Sequence, residues 1–250
     1  MHNRDIDSYQ ANYDQLPFEP TMADIRKRMI VAFLEKQGAK KIIEVGCGNA
    51  SIFNEYQGFE QMIVVEPSKV FFDRATIDAA KFKEKKITLI NQHFSDEIFE
   101  GHDLKGIDTL LISGLLHELP DPVIMLRNAS RIVNSDTVLH INVPNAHSLH
   151  RIMAKEMGLM QDVKQKTELQ QLLQQHHTFD IESLTSLAEE AGFTVIESGS
   201  YFIKPFSHKQ MDVLQHHPLF GDNVIRGFEK LVSYLPGFGA EIYLNLRKQL

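Results

Sequence analysis

The sequence predicts an α/β protein, built on a doubly wound, mostly parallel sheet of seven strands with a helical cap inserted late in the chain. Three observations support this class. Short apolar runs alternate with helix-like segments up to residue 145, as in sheets whose strands are joined by crossover helices. The first run ends at two glycines, Gly46 and Gly48, where such sheets commonly receive a nucleotide. The alternation stops after residue 145 and returns at residue 178, which indicates an insertion.

The predicted strands are short and mostly apolar, as buried strands of a parallel sheet should be. They are residues 42–45, 61–66, 86–91, 108–113, 138–143, 193–199 and 240–246. The last of them, AEIYLNL, alternates cleanly in the two-residue period of a strand. Ligands of a doubly wound sheet bind outside the carboxyl ends of its strands, so the site is expected there.

The predicted helices are recognised by the residues at their ends. Thr21 is expected to cap a first helix, which Gly38 ends. Asp121, followed by a proline, begins another helix, and Asp180 caps a later one. Further helical segments are predicted over residues 51–56, 68–80 and 211–234.

The domain organisation follows from this pattern. Residues 1–39 are expected to form an N-terminal arm and helix, and residues 40–145 with 178–250 a ligand-binding domain. Residues 146–177 are expected to form a helical cap over the pocket. The cap ends in KQKTELQQLLQQHH, which fits either a low-complexity tract or an amphipathic helix, and its interleaved leucines (Leu169, Leu172 and Leu173) favour the helix.

Composition excludes several classes of protein. The net charge of −7 leaves no basic footprint, so no nucleic-acid partner is expected. No apolar run approaches the roughly 20 residues needed to span a bilayer, and the polar N-terminus does not resemble a signal peptide. A single cysteine, Cys47, rules out an internal disulfide and fits a reducing compartment. The expected protein therefore has no membrane partner and a cytoplasmic location.

Three kinds of nucleotide site compete for the glycine turn. A P-loop needs a lysine and a hydroxyl residue after the second glycine, and Asn49 and Ala50 do not provide them. A dinucleotide fingerprint needs a third glycine or an alanine where this chain has Ser51. The third kind is a site for S-adenosylmethionine, in which the glycines let the backbone approach a ligand that has no phosphates.

The stretch EVGCG, containing Glu44, Gly46, Cys47 and Gly48, resembles the first motif of class I S-adenosylmethionine-dependent methyltransferases. The resemblance implies a Rossmann-like methyltransferase fold and S-adenosylmethionine as the cofactor. Glu66 follows 20 residues after Gly46, where such enzymes place the acid that accepts both ribose hydroxyls. A dehydrogenase would use an acid at this position for the same purpose.

Later segments extend the resemblance over residues 40–145 and 178–250. Pro67 follows the ribose acid, and NQHFSDEIF is similar to the segment that contacts adenine. The resemblance assigns Phe94 to that contact, whereas His93 stands where the family usually has Asp. IDTLLISGLLHELPDP is similar to the fourth motif and adds Ser113 and Gly114 to the cofactor-binding residues.

Three histidines are candidates for the base that removes a proton from the acceptor. His117 follows the fourth strand and is expected to face the transferring methyl; it fits a histidine packed under the cap equally well. His147 and His150 lie just beyond the fifth strand, where the cap begins. No metal ligand is expected, because metal-assisted relatives carry acids near the end of the fourth strand, which here ends in Ser113 and Gly114.

The N-terminal part of the chain offers further contacts. Tyr9, Tyr13 and Phe18 either fold over the cofactor or pack the arm onto the sheet. Arg26 or Arg28 is a candidate for binding the methionine carboxylate. Tyr201, just past the sixth strand, is a candidate for the acceptor pocket.

Together these inferences predict a methyltransferase that transfers a methyl group from S-adenosylmethionine to a hydroxyl, or an amine, of a small-molecule metabolite without a metal. Two alternatives remain: an NAD-dependent oxidoreductase on a similar sheet, and a non-catalytic protein that binds S-adenosylmethionine. The acceptor is the expected partner, and a homodimer is compatible with the sequence.

Overall fold

A computed structural model describes residues 16–167, 170–171 and 175–249 of the chain. Seven strands form one sheet, and each begins and ends within two residues of its predicted bounds. They are β1 (Lys41–Val45), β2 (Gln61–Val65), β3 (Lys86–Ile90), β4 (Thr109–Ser113), β5 (Val138–Pro144), β6 (Phe193–Tyr201) and β7 (Glu241–Lys248). The predicted α/β fold with a seven-stranded sheet is confirmed.

The strand order is β3-β2-β1-β4-β5-β7-β6. Strand β7 runs antiparallel to both of its neighbours, so the other six strands share one direction. The order reverses between β1 and β4, which makes the gap between their carboxyl ends the topological switch point where ligands bind. Glu241, at the start of β7, pairs with Pro144 and Tyr201, and therefore lies at this same edge.

Eight helices flank the sheet in the described part of the chain. They are α1 (Glu19–Gln37), α2 (Lys69–Ala79), α3 (Asp96–Gly101), α4 (Pro122–Ile132), α5 (Leu149–Glu156), α6 (Ile181–Glu190), α7 (His208–Gln215) and α8 (Asp222–Lys230). Single 3₁₀ turns occur at Ile52–Asn54, Leu116–Glu118 and Leu231–Ser233. Asp121 caps α4 as predicted, because its Oδ1 accepts hydrogen bonds from the amides of Val123 and Ile124 at 3.1 and 3.3 Å.

Two helix predictions need correction. Helix α1 begins at Glu19, before Thr21, because Pro20 is already fitted to the first helical turn. Residues 51–56 form only a 3₁₀ turn, whereas the sequence predicted the start of a helix. The Tyr56 hydroxyl donates to the carbonyl of Ala39 at 2.8 Å, and this buried contact holds the segment against the end of α1 instead of letting it extend.

The core lies on both faces of the sheet. Along β1, Ile43 and Val45 pack with Leu126 of α4, whereas Ile42 faces the other side and packs with Leu34 of α1. This alternation follows from the two-residue period of a strand whose faces are both covered by helices. The two helical layers thus hold the strand ends in fixed positions.

A third apolar cluster lies at the carboxyl end of β6. Phe18, Met22 and Ile25 of the α1 region pack there against Phe202, after β6, and Met211 of α7. The cluster brings the first turns of α1 and α7 to the carboxyl end of β6. Polar side chains from three distant parts of the sequence therefore meet at this end.

Several predictions cannot be compared with the structure. Tyr9 and Tyr13, and the helix predicted from Leu169, Leu172 and Leu173, lie outside the described residues. The boundaries of the cap, 146–177, stay a prediction, and α5 is the described helix within it. In the part of the chain that the structure describes, no helix is long and apolar enough to cross a membrane.

Candidate active site

A cleft of about 2200 Å³ opens at the carboxyl ends of the parallel strands. The turns after β1 to β5 line it together with parts of α1, α5 and α7. Its position at the switch point between β1 and β4 is the one expected for ligands of a doubly wound sheet.

The glycine turn after β1 forms one wall of the cleft. Gly46 has φ +78° and Gly48 has φ +53°, a left-handed region that residues with a side chain rarely adopt. A Cβ added to Gly48 would meet no other heavy atom within 4 Å in the described residues. A Cβ added to Gly46 would lie 3.6 Å from Leu115. Side chains at these positions would therefore occupy space that the cleft leaves to a ligand.

Glu66, directly after β2, faces this turn and is only 5% exposed. Its Oε2 accepts hydrogen bonds from the amides of Cys47 and Gly48 at 3.0 and 3.3 Å. Its Oε1 accepts one from the amide of Ser68 at 2.8 Å. Burial raises the pKa of Glu66, and the three amides oppose that rise. The carboxylate therefore joins the glycine turn to the start of α2.

Glu44 lies in the cleft wall, but its carboxylate binds protein groups. It accepts hydrogen bonds from the Ser51 hydroxyl and from the amide of Ile52 at 3.1 Å. Burial raises the pKa of Glu44 to about 7, and these two hydrogen bonds oppose the rise. Ser51, the residue that departs from the dinucleotide fingerprint, is thus the partner that fixes the exit of the turn. The sequence analysis gave Ser51 no such role.

The remaining residues predicted to bind the cofactor also line the cleft. Cys47 is buried, and burial raises the pKa of its thiol, so the thiol is protonated at neutral pH. Pro67 and Phe94 lie in the wall, and the exposed His93 lies beside them. The carbonyl of Phe94 accepts a hydrogen bond from Asn128 at 3.1 Å, which fixes the loop after β3.

The turn after β4 faces Arg26 across the cleft. Gly114 has φ +62°, follows Ser113 and donates its amide to the carbonyl of Asn142 at 2.9 Å. A Cβ on Gly114 would lie 4.0 Å from Arg26 Nε. Arg26 lines the cleft and donates from Nε to Glu241 at 2.9 Å. Arg28 pairs with Glu229 and is not among the described residues that line the cleft.

The three candidate histidines differ in position. His117 is buried in the cleft wall, and its Nε2 lies 3.8 Å from Glu118 Oε1. His150 also lines the cleft; burial, with Lys204 and His208 nearby, lowers its pKa well below the usual value. His147 is exposed and is not among the described residues that line the cleft, so the structure does not bring it to the site.

Lys204 and His208 line the same cleft, and the sequence analysis missed both. The available signal was a lysine within the apolar run Phe202 to Phe206, because a charge there has to be buried with partners. Tyr201, the residue that was predicted for the acceptor pocket, is buried and donates its hydroxyl to Glu241 instead.

The described residues contain no group of three or more His, Cys, Asp or Glu side chains arranged to hold a metal ion. The carboxylates nearest the glycine turn, Glu44 and Glu66, are both occupied by backbone amides. Both carboxylates therefore stabilise the backbone around the glycine turn.

Comparison with protein families identifies the chain. Residues 18–198 match the family model described as a methyltransferase domain, which is well over half of the chain. No curated protein matches the sequence.

Solved structures show the same fold at low identity. The N-methyltransferase NodS from Bradyrhizobium japonicum WM9, in complex with S-adenosyl-L-homocysteine, has a TM-score of 0.55 and 11% identity, covering 96% of this chain and 98% of that one. The plantazolicin methyltransferase BamL, in complex with a triazolic desmethylPZN analogue and S-adenosylhomocysteine, has a TM-score of 0.59 and 14% identity, covering 93% and 88%.

The [4+2]-cyclase SpnF has a TM-score of 0.55 and 12% identity, covering 89% of this chain and 80% of its own. These likenesses concern the fold, and the family match over residues 18–198 decides the class. The chain belongs to the methyltransferase domain family, which confirms the predicted class I methyltransferase with S-adenosylmethionine as its cofactor.

Proposed function

We propose that this methyltransferase methylates a hydroxyl, or in second place an amine, of a small-molecule acceptor, and that it does so without a metal ion. One observation carries the proposal: a cleft with two chemically different halves at one edge of the sheet. The glycine turn and Glu66 lie in the half formed by β1 to β3. His150 and Lys204 lie in the half formed by β5 to β7. The methyl group is transferred from the first half of the cleft to the second.

The first half fits the cofactor. Gly46 and Gly48 leave open space beside the turn, and the buried Glu66 has oxygens that accept hydrogen bonds from the ribose hydroxyls. Phe94 lies in the cleft wall, where it contacts the adenine. Arg26 lies opposite Gly114, where it binds the methionine carboxylate. When bound, S-adenosylmethionine supplies an electrophilic methyl group carried on a sulfonium.

The second half has room for a separate acceptor. A cleft of about 2200 Å³ is well above the roughly 300–1,000 Å³ typical of a pocket for one small ligand. Five of the described methionines line the cleft, and their flexible side chains adapt to irregular apolar ligands: Met22, Met125, Met153, Met157 and Met160. The domain division, with residues 146–177 as a cap over this half, is part of the proposal.

The acceptor half also contains groups that can receive a proton. A hydroxyl has to lose its proton during methyl transfer, and a base within hydrogen-bond reach accelerates that loss. His150 is neutral at pH 7 because burial lowers its pKa, and His117 lies in the wall between the two halves. Ser113 and Gly114, which follow one another at the end of β4, offer no carboxylate to a metal ion.

The proposal is tested with S-adenosylmethionine labelled in its methyl group. The protein is incubated with it and a cell extract, and the products are separated into small molecules, protein and nucleic acid. We expect label in the small-molecule fraction, with much less from Glu66→Ala and an unchanged amount from Glu97→Ala. Glu97 is an exposed carboxylate at the rim of the cleft, so it controls for the loss of charge.

Label in protein or nucleic acid alone would refute the small-molecule acceptor. Calorimetric titration with S-adenosylhomocysteine measures binding of the cofactor product separately from turnover. Binding of S-adenosylhomocysteine without any labelled product would favour a non-catalytic protein.

A further inference from the structure

Three basic side chains meet in the acceptor half of the cleft: His150, Lys204 and His208, which we call the basic trio. They come from α5, from the segment after β6 and from the first turn of α7. The apolar cluster around Phe202 and Met211 brings the second and third of these segments together. None of the trio is joined to the glycine turn or to Glu66 by a hydrogen bond within the described chain.

A hydrogen bond orders two members of the trio, Lys204 and His208. Lys204 Nζ lies 2.8 Å from His208 Nδ1, and His208 Nε2 lies 3.6 Å from Glu19 Oε2. The carboxylate of Glu19 favours the tautomer with its proton on Nε2, so Nδ1 offers a lone pair to Lys204. His208 therefore positions the lysine amine, and Glu19 fixes the tautomer of His208.

The surroundings of Lys204 favour the neutral amine. The lysine is only 1% exposed, and burial lowers its pKa to about 7. Three charged groups from the packed elements act on it: Glu19 of α1 and Glu241 of β7 favour the ammonium, and Arg151 of α5 opposes it. Arg26 pairs with both carboxylates and weakens their effect. A large fraction of Lys204 is therefore uncharged at neutral pH and able to accept a proton.

His150 supplies a second, independent indication of a ligand. Its Nδ1 is buried and meets no hydrogen-bond partner among the described residues. A buried polar atom without a partner costs about 1–3 kcal/mol, so such atoms are usually satisfied by water or a ligand. A polar group of the acceptor, placed between His150 and Lys204, would meet this need.

Resting on the proposed function, we propose that the basic trio receives an acidic hydroxyl, a phenol or an enol, and that Lys204 takes its proton. As the bond from the methyl carbon to the acceptor oxygen forms, the bond from that carbon to sulfur breaks and sulfur keeps the electron pair. The hydroxyl proton passes to Lys204 Nζ, which leaves the lysine as an ammonium and the product as a neutral methyl ether.

The chemistry of the base selects this class of hydroxyl. A phenol has a pKa of about 10, within roughly three units of the lysine, whereas an aliphatic alcohol is a far weaker acid. Proton transfer to Lys204 therefore has a much smaller barrier from a phenol than from an aliphatic alcohol. The methionines that line the cleft also suit an aromatic body, because sulfur makes favourable contacts with aromatic rings.

The test uses 7-hydroxycoumarin, a phenol on a flat aromatic system whose absorption band moves to longer wavelength when it ionises. The probe is added to the protein saturated with S-adenosylhomocysteine and titrated with pH. We expect the bound probe to ionise about one to three pH units below the free probe, because Lys204 takes its proton and the resulting ammonium stabilises the phenolate. That shift corresponds to a 10- to 1,000-fold change in its acidity.

Two variants locate the effect. Lys204→Met, which replaces the buried lysine by an apolar side chain of similar length, is expected to abolish the shift. Lys209→Met makes the same replacement at an exposed position on the cleft rim and is expected to keep the shift. Binding of S-adenosylhomocysteine to each variant shows that it is folded.

If the probe bound to the wild-type protein ionises at the same pH as the free probe, the inference is overturned, whatever the variants show. It is equally overturned if Lys204→Met keeps the shift, or if the wild-type protein with bound S-adenosylhomocysteine does not bind the phenol. Failure to bind S-adenosylhomocysteine would instead refute the proposed function itself.

Discussion

Replacement of Glu66 by alanine removes the carboxylate that joins the glycine turn to α2. The three amides bound to it, those of Cys47, Gly48 and Ser68, then lose their acceptor. The cofactor loses the oxygens proposed to bind its ribose. Both effects act against the bound state, because the turn loses its fixed shape while the ligand loses direct contacts.

The magnitude follows from the type of bond. Hydrogen bonds to a charged group contribute about 1.5–3 kcal/mol, and water that enters the open cleft restores part of that loss. We therefore expect binding of S-adenosylhomocysteine to weaken by about 1–3 kcal/mol, which is roughly a 5- to 150-fold rise in Kd. The melting temperature without ligand should fall slightly, since only the local turn is affected.

Isothermal titration at pH 8 measures this effect, and the alkaline pH favours the ionised form of Glu66, whose pKa is raised by burial. Glu97→Ala serves as the control, because it removes an exposed carboxylate from the same cleft. A Kd for Glu66→Ala within twofold of both the wild type and this control would show that the carboxylate does not face the cofactor.

Two further predictions concern stability. Gly239→Ala should destabilise the protein by about 1–3 kcal/mol, because its Cβ would lie 2.5 Å from the backbone nitrogen of Tyr201. Gly227→Ala should stabilise it by about 0.5–1 kcal/mol, because Gly227 is exposed inside α8 and no described residue outside that helix lies within 4 Å of the added Cβ. Urea unfolding measures the effect of each substitution on the free energy of unfolding. Equal effects would contradict the close packing of Gly239 against Tyr201. Burial lowers the pKa of His140 from 6.5 to about 4, so its contribution to stability is complete above pH 6.5 and is lost as the pH falls toward 4. Relative to His140→Gln, the wild type should therefore lose about 3 kcal/mol of unfolding free energy over that range. If the unfolding free energies of the two proteins change in parallel with pH, the pKa of His140 is not lowered.

The sequence determined the features that depend on neighbouring residues. Strand positions follow from short apolar runs, and the start of α4 follows from Asp121, because caps and periodicity act within a few residues. The spacing of the glycine turn and Glu66 also predicted a cofactor motif, and both line the same cleft. The class of enzyme therefore follows from the order and spacing of residues along the chain.

The tertiary structure decided what depends on contacts between distant residues. Lys204, His208 and Glu19 form one hydrogen-bonded group only because an apolar cluster packs α1 and α7 beside the end of β6. Their sequence neighbours carry no periodicity or motif that joins them. Ser51 likewise acquired its role from Glu44 on the preceding strand. Burial and the choice of partner set the chemistry of such side chains, and both are properties of the whole fold.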